Sequence, residues 1–236
     1  CASVSELVVG DNGMKSFKSV EISGVPSLET IRVGSNVFKN VNALGLVGLS
    51  KLKRVEVGED SFTNKEGSFE LTNCASVSEL VVGNRSMSSF SSFEITTTPS
   101  LKTITIGSDS FKKVDSFALS GLSGLESVVV GSSSFSNKNG AFSVVNCTSL
   151  ESVEIGTSSM GAYSVLSVDN TPSLEVLAIG SNAFKNVDAL RLNGLSKLKK
   201  VEISADSFTN KEGVFELTNC ASVSELVVGE RSELAG

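Results

Sequence analysis

The sequence predicts a β-rich solenoid, a fold that grows by stacking coils and needs no single central core. Three observations predict it. The phrase CASVSELVVG stands at Cys1–Gly10, Cys74–Gly83 and Cys220–Gly229, and a diverged copy, CTSLESVEIG, at Cys147–Gly156, so that the phrase recurs every 73 residues. Within each 73-residue block an apolar anchor returns after 24, 24 and 25 residues, at Val4, Leu28, Leu52, Val77, Leu101, Leu125, Leu150, Leu174, Leu198 and Val223. Hydrophobic residues make up 40% of the 236 residues, too many for general disorder, while Gly and Ser recur too often for long helices.

The elements of one coil follow in order from the anchor. In Leu28-Glu-Thr-Ile31-Arg-Val33-Gly34, apolar Ile31 and Val33 alternate with exposed places, the pattern of a short half-buried strand. Gly closes this strand in nine of ten units, with Ser204 as the exception, and serves a tight turn or a close backbone approach. Ten residues after the anchor comes a large apolar residue: Met14, Phe38, Phe62, Met87, Phe111, Phe135, Met160, Phe184 or Phe208. These should stack as a ladder filling the bend. A second strand follows, with inward pairs Val20/Ile22, Leu44/Leu46, Phe69/Leu71, Phe93/Ile95, Phe117/Leu119, Phe142/Val144, Leu166/Val168, Leu190/Leu192 and Phe215/Leu217. Stacked coils then give two parallel ladders, rising about 4.8 Å per coil. The extra residue of every third unit falls in the turns Asn64–Gly67, Asn137–Gly140 and Asn210–Gly213, where it leaves the ladder register intact.

LETIRVGSNVF at Leu28–Phe38 resembles the leucine-rich repeat pattern LxxLxLxxNxL, with Asn36 in its Asn place and Phe38 in its last apolar place. Asn12, Asp60, Arg85, Asp109, Ser133, Ser158, Asn182 and Asp206 fill the Asn place elsewhere, which argues against a continuous asparagine ladder. The paired-strand unit and its N-C-x-S-L phrase are similar to the BspA-like leucine-rich repeats of surface proteins. The resemblance implies one leucine-rich repeat solenoid over residues 1–236, with two short stacked strands per 24–25-residue coil and shallow curvature. It holds about nine full coils in three 73-residue superunits, and reads as a fragment of a longer array. A parallel β-helix is the alternative fold.

Charge and residue inventory exclude several function classes. The net charge is −6, and the sequence displays no basic stripe for nucleic acid. No apolar run approaches transmembrane length, so this segment is not expected to insert in a membrane. With no His, imidazole chemistry and the usual zinc sites are excluded. The expectation is of no enzyme, no cofactor and no metal. Ser reads as a turn and surface residue. Cys74, Cys147 and Cys220 fall on the place held elsewhere by Val25, Leu49, Thr98, Leu122, Thr171 and Leu195, a small, mostly apolar core position. Cysteines three coils apart lie about 14 Å from one another, beyond the roughly 7 Å that a disulfide spans. Buried free thiols are expected, with a bond between fragments through Cys1 as the alternative.

The expected interaction face is the outward phase of the first strand. It carries Glu29, Arg32, Lys53, Arg54, Glu56, Lys102, Glu151, Glu154, Lys199, Lys200 and Glu202, mixed in charge and without an aromatic residue. Protein hot spots favour Trp, Tyr and Arg, so no high-affinity site is written there. Asn84-Arg85-Ser86 and Asn146-Cys147-Thr148 match the glycosylation sequon, which makes Asn84 and Asn146 candidate acceptors. KRVEVGEDSFTNKEGSFELTNCASVSELVVGNRS from Lys53 and KKVEISADSFTNKEGVFELTNCASVSELVVGERS from Lys199 agree on surface as well as core places. Packing explains core identity but not surface identity. The expected function is therefore a structural or adhesive repeat protein at the cell surface or in an assembly, with protein partners that include other copies end to end. The alternative is a protein-recognition module in the cytoplasm.

Overall fold

The computed structural model describes residues 3–138, 140–210 and 212–232. Cys1 and Glu233 lie outside the described residues. The described chain is a parallel β-solenoid of about nine turns, without helices. In chain order the strands are β1 (Glu6–Val9), β2 (Val20–Ser23), β3 (Thr30–Val33), β4 (Ala43–Val47), β5 (Arg54–Val57), β6 (Gly67–Thr72), β7 (Glu79–Val82), β8 (Phe90–Thr96) and β9 (Thr103–Ile106). There follow β10 (Ser116–Ser120), β11 (Ser127–Val130), β12 (Ala141–Val145), β13 (Ser152–Ile155), β14 (Val165–Asp169), β15 (Val176–Ile179), β16 (Ala189–Asn193), β17 (Lys200–Ile203), β18 (Val214–Thr218) and β19 (Glu225–Val228). The odd-numbered strands form one continuous ten-stranded sheet, each paired one coil on, as Ile31 with Val55 and Val128 with Val153.

The core lies between this sheet and the even-numbered strands. Alternation sends Ile31, Val55, Leu80 and Ile104 inward, where they are buried against the second strand's Leu44, Phe69 and Phe117. The Phe ladder is present, with Phe38 and Phe62 rings 5.2 Å apart and Phe111 and Phe135 stacked at 5.4 Å. Cys74 and Cys147 are buried free thiols, as expected, and Cys220 is half-buried. Met14 and Leu217 belong to the expected core places but are exposed, because the first and last coils have a neighbour on one side only.

Each coil closes by three left-handed residues. The Asn place has φ between 56° and 61° in every unit from Asn12 to Arg231. Two residues on, the Met or Phe of the ladder has φ between 48° and 57°. The third stands after the even strand, at Gly24, Gly48, Asn73, Thr97, Gly121, Asn146, Asn170, Gly194 and Asn219. A left-handed Phe costs roughly 1–2 kcal/mol. Its full burial returns roughly 1.5–3 kcal/mol, which offsets the strain. The Asn place is thus a turn position that tolerates Asp, Ser and Arg, and its loose consensus follows. The Gly before it makes no left-handed turn; a Cβ at Gly58 would lie 2.6 Å from the Gly34 carbonyl carbon of the preceding coil.

The second ladder departs from expectation. The even strands form a four-stranded sheet, β2-β4-β6-β8, and a five-stranded sheet, β10-β12-β14-β16-β18, with no pairing between β8 and β10. Register also slips between β6 and β8, where Gly67 faces Phe90 and Ser68 faces Ser92, leaving Ser91 as a bulge. Phe69, Phe93, Phe117 and Phe142 occupy one column in four consecutive coils. Phe69 stacks on Phe93 at 26°, but Phe93 stands edge-on to Phe117 at 89° and to Phe111 at 83°. The rings thus turn edge-on at the level where β8 and β10 do not pair, while the centroid spacing of 5.1 Å stays close to the 5.3 Å of the stacked pair. The odd-numbered sheet, with slim Leu80, Ile104 and Val128 at this level, stays paired.

Candidate interaction face

The outward side chains of the ten-stranded sheet come from places that the strand period turns away from the core. Glu29, Lys53, Lys102, Glu151 and Lys199 precede their strands; Arg54 and Lys200 open them; Arg32, Glu56, Glu154 and Glu202 occupy the third strand place. All are exposed or half-buried on one side of the solenoid.

Stacking brings most of these charges onto each other. Lys53 Nζ lies 2.7 Å from Glu29, Lys199 2.8 Å from Glu175, and Lys102 2.7 Å from Glu126. Arg32 bonds Glu6 and lies 3.7 Å from Glu56, while Arg54 reaches Glu79 and lies 3.4 Å from the same Glu56. Lys200 lies 2.8 Å from Glu202 and 3.5 Å from Glu225. The hydrogen bond from Lys53 holds Glu29 below the usual carboxylate range, and the one from Lys199 does the same for Glu175. Lys102 is raised by its bond to Glu126, and Lys200 by its bond to Glu202. Every cation of this face is thus engaged with a carboxylate of its own or an adjacent coil. Glu151 and Glu154 make no ion pair among the described residues. Glu154 and Glu202 border a shallow concavity of about 390 Å³, floored by Ala178 and the Gly131, Gly156 and Gly180 row. It offers no aromatic surface and no pair of groups placed for proton transfer. Among the described residues no cluster of three or more His, Cys, Asp or Glu could hold a metal ion.

The two sequons differ. Asn84 is half-buried, its amide donating to Glu59 at 3.1 Å and accepting from the Ser108 N–H at 2.9 Å, and Ser86 is wholly buried. Asn146 is exposed and left-handed, and accepts a bond from Asn170 at 2.6 Å.

The serine reading needs correction. Ser61, Ser86, Ser110, Ser134, Ser159 and Ser207 are wholly buried. Ser86 Oγ donates to the Gly58 carbonyl at 2.6 Å and accepts from the Ser61 N–H at 3.1 Å; Ser110 and Ser134 repeat the arrangement one coil on. Ala183 interrupts this ladder. The signal was a Ser next to the buried Phe or Met in unit after unit, a regularity that an exposed turn does not require.

No helix among the described residues is long and apolar enough to cross a membrane. Residues 49–164 match the family model for a BspA type leucine rich repeat region, in six copies. No curated protein and no solved structure matches the chain.

Proposed function

We propose, on the premise that residues 49–164 are a BspA-type leucine-rich repeat region, that the chain is a non-enzymatic structural or adhesive repeat protein at the cell surface. It acts as one array over residues 1–236, and its partners are proteins, including further copies. The observation that carries this reading is the set of ion pairs between neighbouring coils. A face whose cations are already bonded to adjacent carboxylates has few free charges for one irregular ligand. Exposed pairs of this kind contribute little to stability, typically 0–1 kcal/mol each, but the Glu29–Lys53 pair of the first block recurs as Glu175–Lys199 in the third and, with the signs exchanged, as Lys102–Glu126 in the second. The near-identity of the segments from Lys53 and Lys199 supports the same reading, because a repeated face meets equivalent partners.

Deletion of one whole block, residues 74–146, joins Asn73 to Cys147 without changing coil register. Beads coated with the chain are expected to clump. On this reading every block contributes to binding, so the deletion should reduce clumping by about a third. Complete loss or full retention of clumping after the deletion would assign binding to a unique coil, and so favour the recognition module. Absence of clumping by the intact chain would remove the adhesive reading between copies.

A further inference from the structure

We propose that the bends joining the two strands of each coil form a lysine-lined edge that binds a linear anionic polysaccharide. This edge is separate from the face of the ten-stranded sheet, so its failure would leave the preceding proposal standing.

Stacking assembles the edge. Lys39, Lys112 and Lys185 stand 73 residues apart, one residue beyond the Phe ladder, and Lys65 and Lys138 stand 73 apart in the turns that carry the extra residue. The bends lie coil on coil: the Asn64 N–H donates to the Lys39 carbonyl at 2.9 Å, Asn137 Nδ2 to the Lys113 carbonyl at 2.9 Å, and the Thr209 N–H to the Lys185 carbonyl at 3.1 Å. A row of positive charge therefore runs along the solenoid, although the sequence shows no basic run.

The charge on this edge is unspent. Lys39, Lys65, Lys113, Lys138 and Lys185 make no ion pair among the described residues, in contrast to the cations of the sheet face; Lys112 is paired with Asp109 at 2.6 Å. Of the acids within reach, Asp60 and Asp206 are paired with arginines, whereas Asp115 and Asp188 are bonded to neutral amides and keep their charge. Asp60 is held by two bonds of 2.8 Å from Arg85, and Asp206 by two bonds of 2.6 Å from Arg231, with Lys39 and Lys185 acting on them only as weaker, more distant charges. Asp115 accepts from Asn137, and Asp188 from Asn210 at 2.9 Å. Glu66 and Glu212 are the remaining acids of these bends, both exposed. Between Lys138 and Lys185 the edge opens into a concavity of about 480 Å³, walled by Ser164, Asn186, Thr209 and Asn210, with Asp188 at its side. Hydroxyls and amides beside lysines suit an acidic sugar, whose hydroxyls and carboxylate or sulfate need both.

The spacing selects the class of polyanion. One or two unpaired lysines per block among the described residues, with blocks about 14 Å apart, give a sparse charge row. Duplex DNA carries one charge per about 1.7 Å, far denser than this edge can match. Single-strand binders stack bases on exposed aromatic rings. Of the rings at the equivalent place of these bends, Phe90 and Tyr163 are wholly buried and Phe17 of the first coil is exposed, so no row of exposed rings runs along the edge among the described residues. A polysaccharide with a charge every few sugars fits both facts.

The test is binding of the intact chain to hyaluronate (sparse carboxylates), to κ-carrageenan (sparse sulfates) and to duplex DNA, measured over a range of salt concentrations. Lys138→Gln/Lys185→Gln should weaken binding at least about tenfold and reduce the salt slope by about 2, one for each lost contact. Lys51→Gln/Lys197→Gln removes the same charge from exposed lysines off this edge and should change neither. Circular dichroism confirms that both variants fold. Binding of hyaluronate alone or of κ-carrageenan alone would identify the anionic group and uphold the site. No binding to either, equal losses in the two variants, or equal affinity for duplex DNA would overturn it.

Discussion

Thr98 is the one side chain among the described residues whose buried polar atom lacks a hydrogen-bond partner. It occupies the place of Cys74 and Leu122, and its counterpart Thr171 donates to the Asp169 carbonyl at 3.2 Å. Its neighbour Thr97 is β-branched and left-handed, with φ 54°, where other coils use Gly or Asn. Two local rules are thus broken at adjacent residues in the coil where the even-stranded ladder parts. Replacing the orphaned hydroxyl by a methyl removes a desolvation cost without leaving a void, so Thr98→Val should stabilise the protein by about 1 kcal/mol. Thr171→Val, which deletes a bond that is made, should be neutral or destabilising by about 1 kcal/mol. Urea unfolding of the two variants checks the pair, and a loss of stability in Thr98→Val would show that its hydroxyl is satisfied.

At the scale of the element, the two ladders differ in how their side chains fill space. β7, β9 and β11 are bridged by residues of nearly equal size and remain hydrogen-bonded. β8 and β10 face each other across an upright Phe93 ring, and Ser91, Ser92, Thr96, Ser116 and Ser120 line a groove of about 360 Å³ between them. Amides lacking a ladder partner exchange through smaller openings. Hydrogen exchange should therefore be faster in β8 and β10 than in β12, β14 and β16. Uniform protection of all even strands would show that β8 and β10 are hydrogen-bonded in solution. The same contrast explains Gly140: a Cβ there would overlap the Tyr163 ring of the next coil, whose hydroxyl donates to the Val114 carbonyl at 2.7 Å. That glycine was legible as a turn residue, but the ring it makes room for was not.

At the scale of the whole molecule, stability should depend on pH in two separated windows. Asp60, Asp206, Glu29 and Glu175 have lowered pKa values, from hydrogen bonds to Arg85, Arg231, Lys53 and Lys199. Their contribution is present above the ordinary carboxylate value near 4 and is lost as pH falls through the lowered native values. Burial raises Cys74, Cys147 and Tyr163. Their contribution is complete below the ordinary thiol value of about 8.5 and declines as pH rises above it. With no His in the chain, a plateau should span about pH 5–8. Unfolding midpoints across pH measure this, and Arg85→Gln/Arg231→Gln should flatten the acidic limb. A slope within the plateau would contradict the assignment.

The sequence by itself determined the coil. Anchors every 24 or 25 residues, period-2 strands and the repeated Phe or Met specify which residue sits where in each turn, because identical neighbours above and below leave one register that buries every apolar face. It also placed Cys74 and Cys147 in the core, by comparing equivalent positions. Only the tertiary structure decided what depends on contact between coils. Four Phe in one column read as repetition, but whether their rings stack or stand upright is set by packing between coils, as is the level at which one ladder parts. Serines read as polar became a buried ladder, since a hydroxyl can accept from one coil and donate to another. Lysines dispersed along the chain became a row, because stacking converts a separation of 73 residues into about 14 Å.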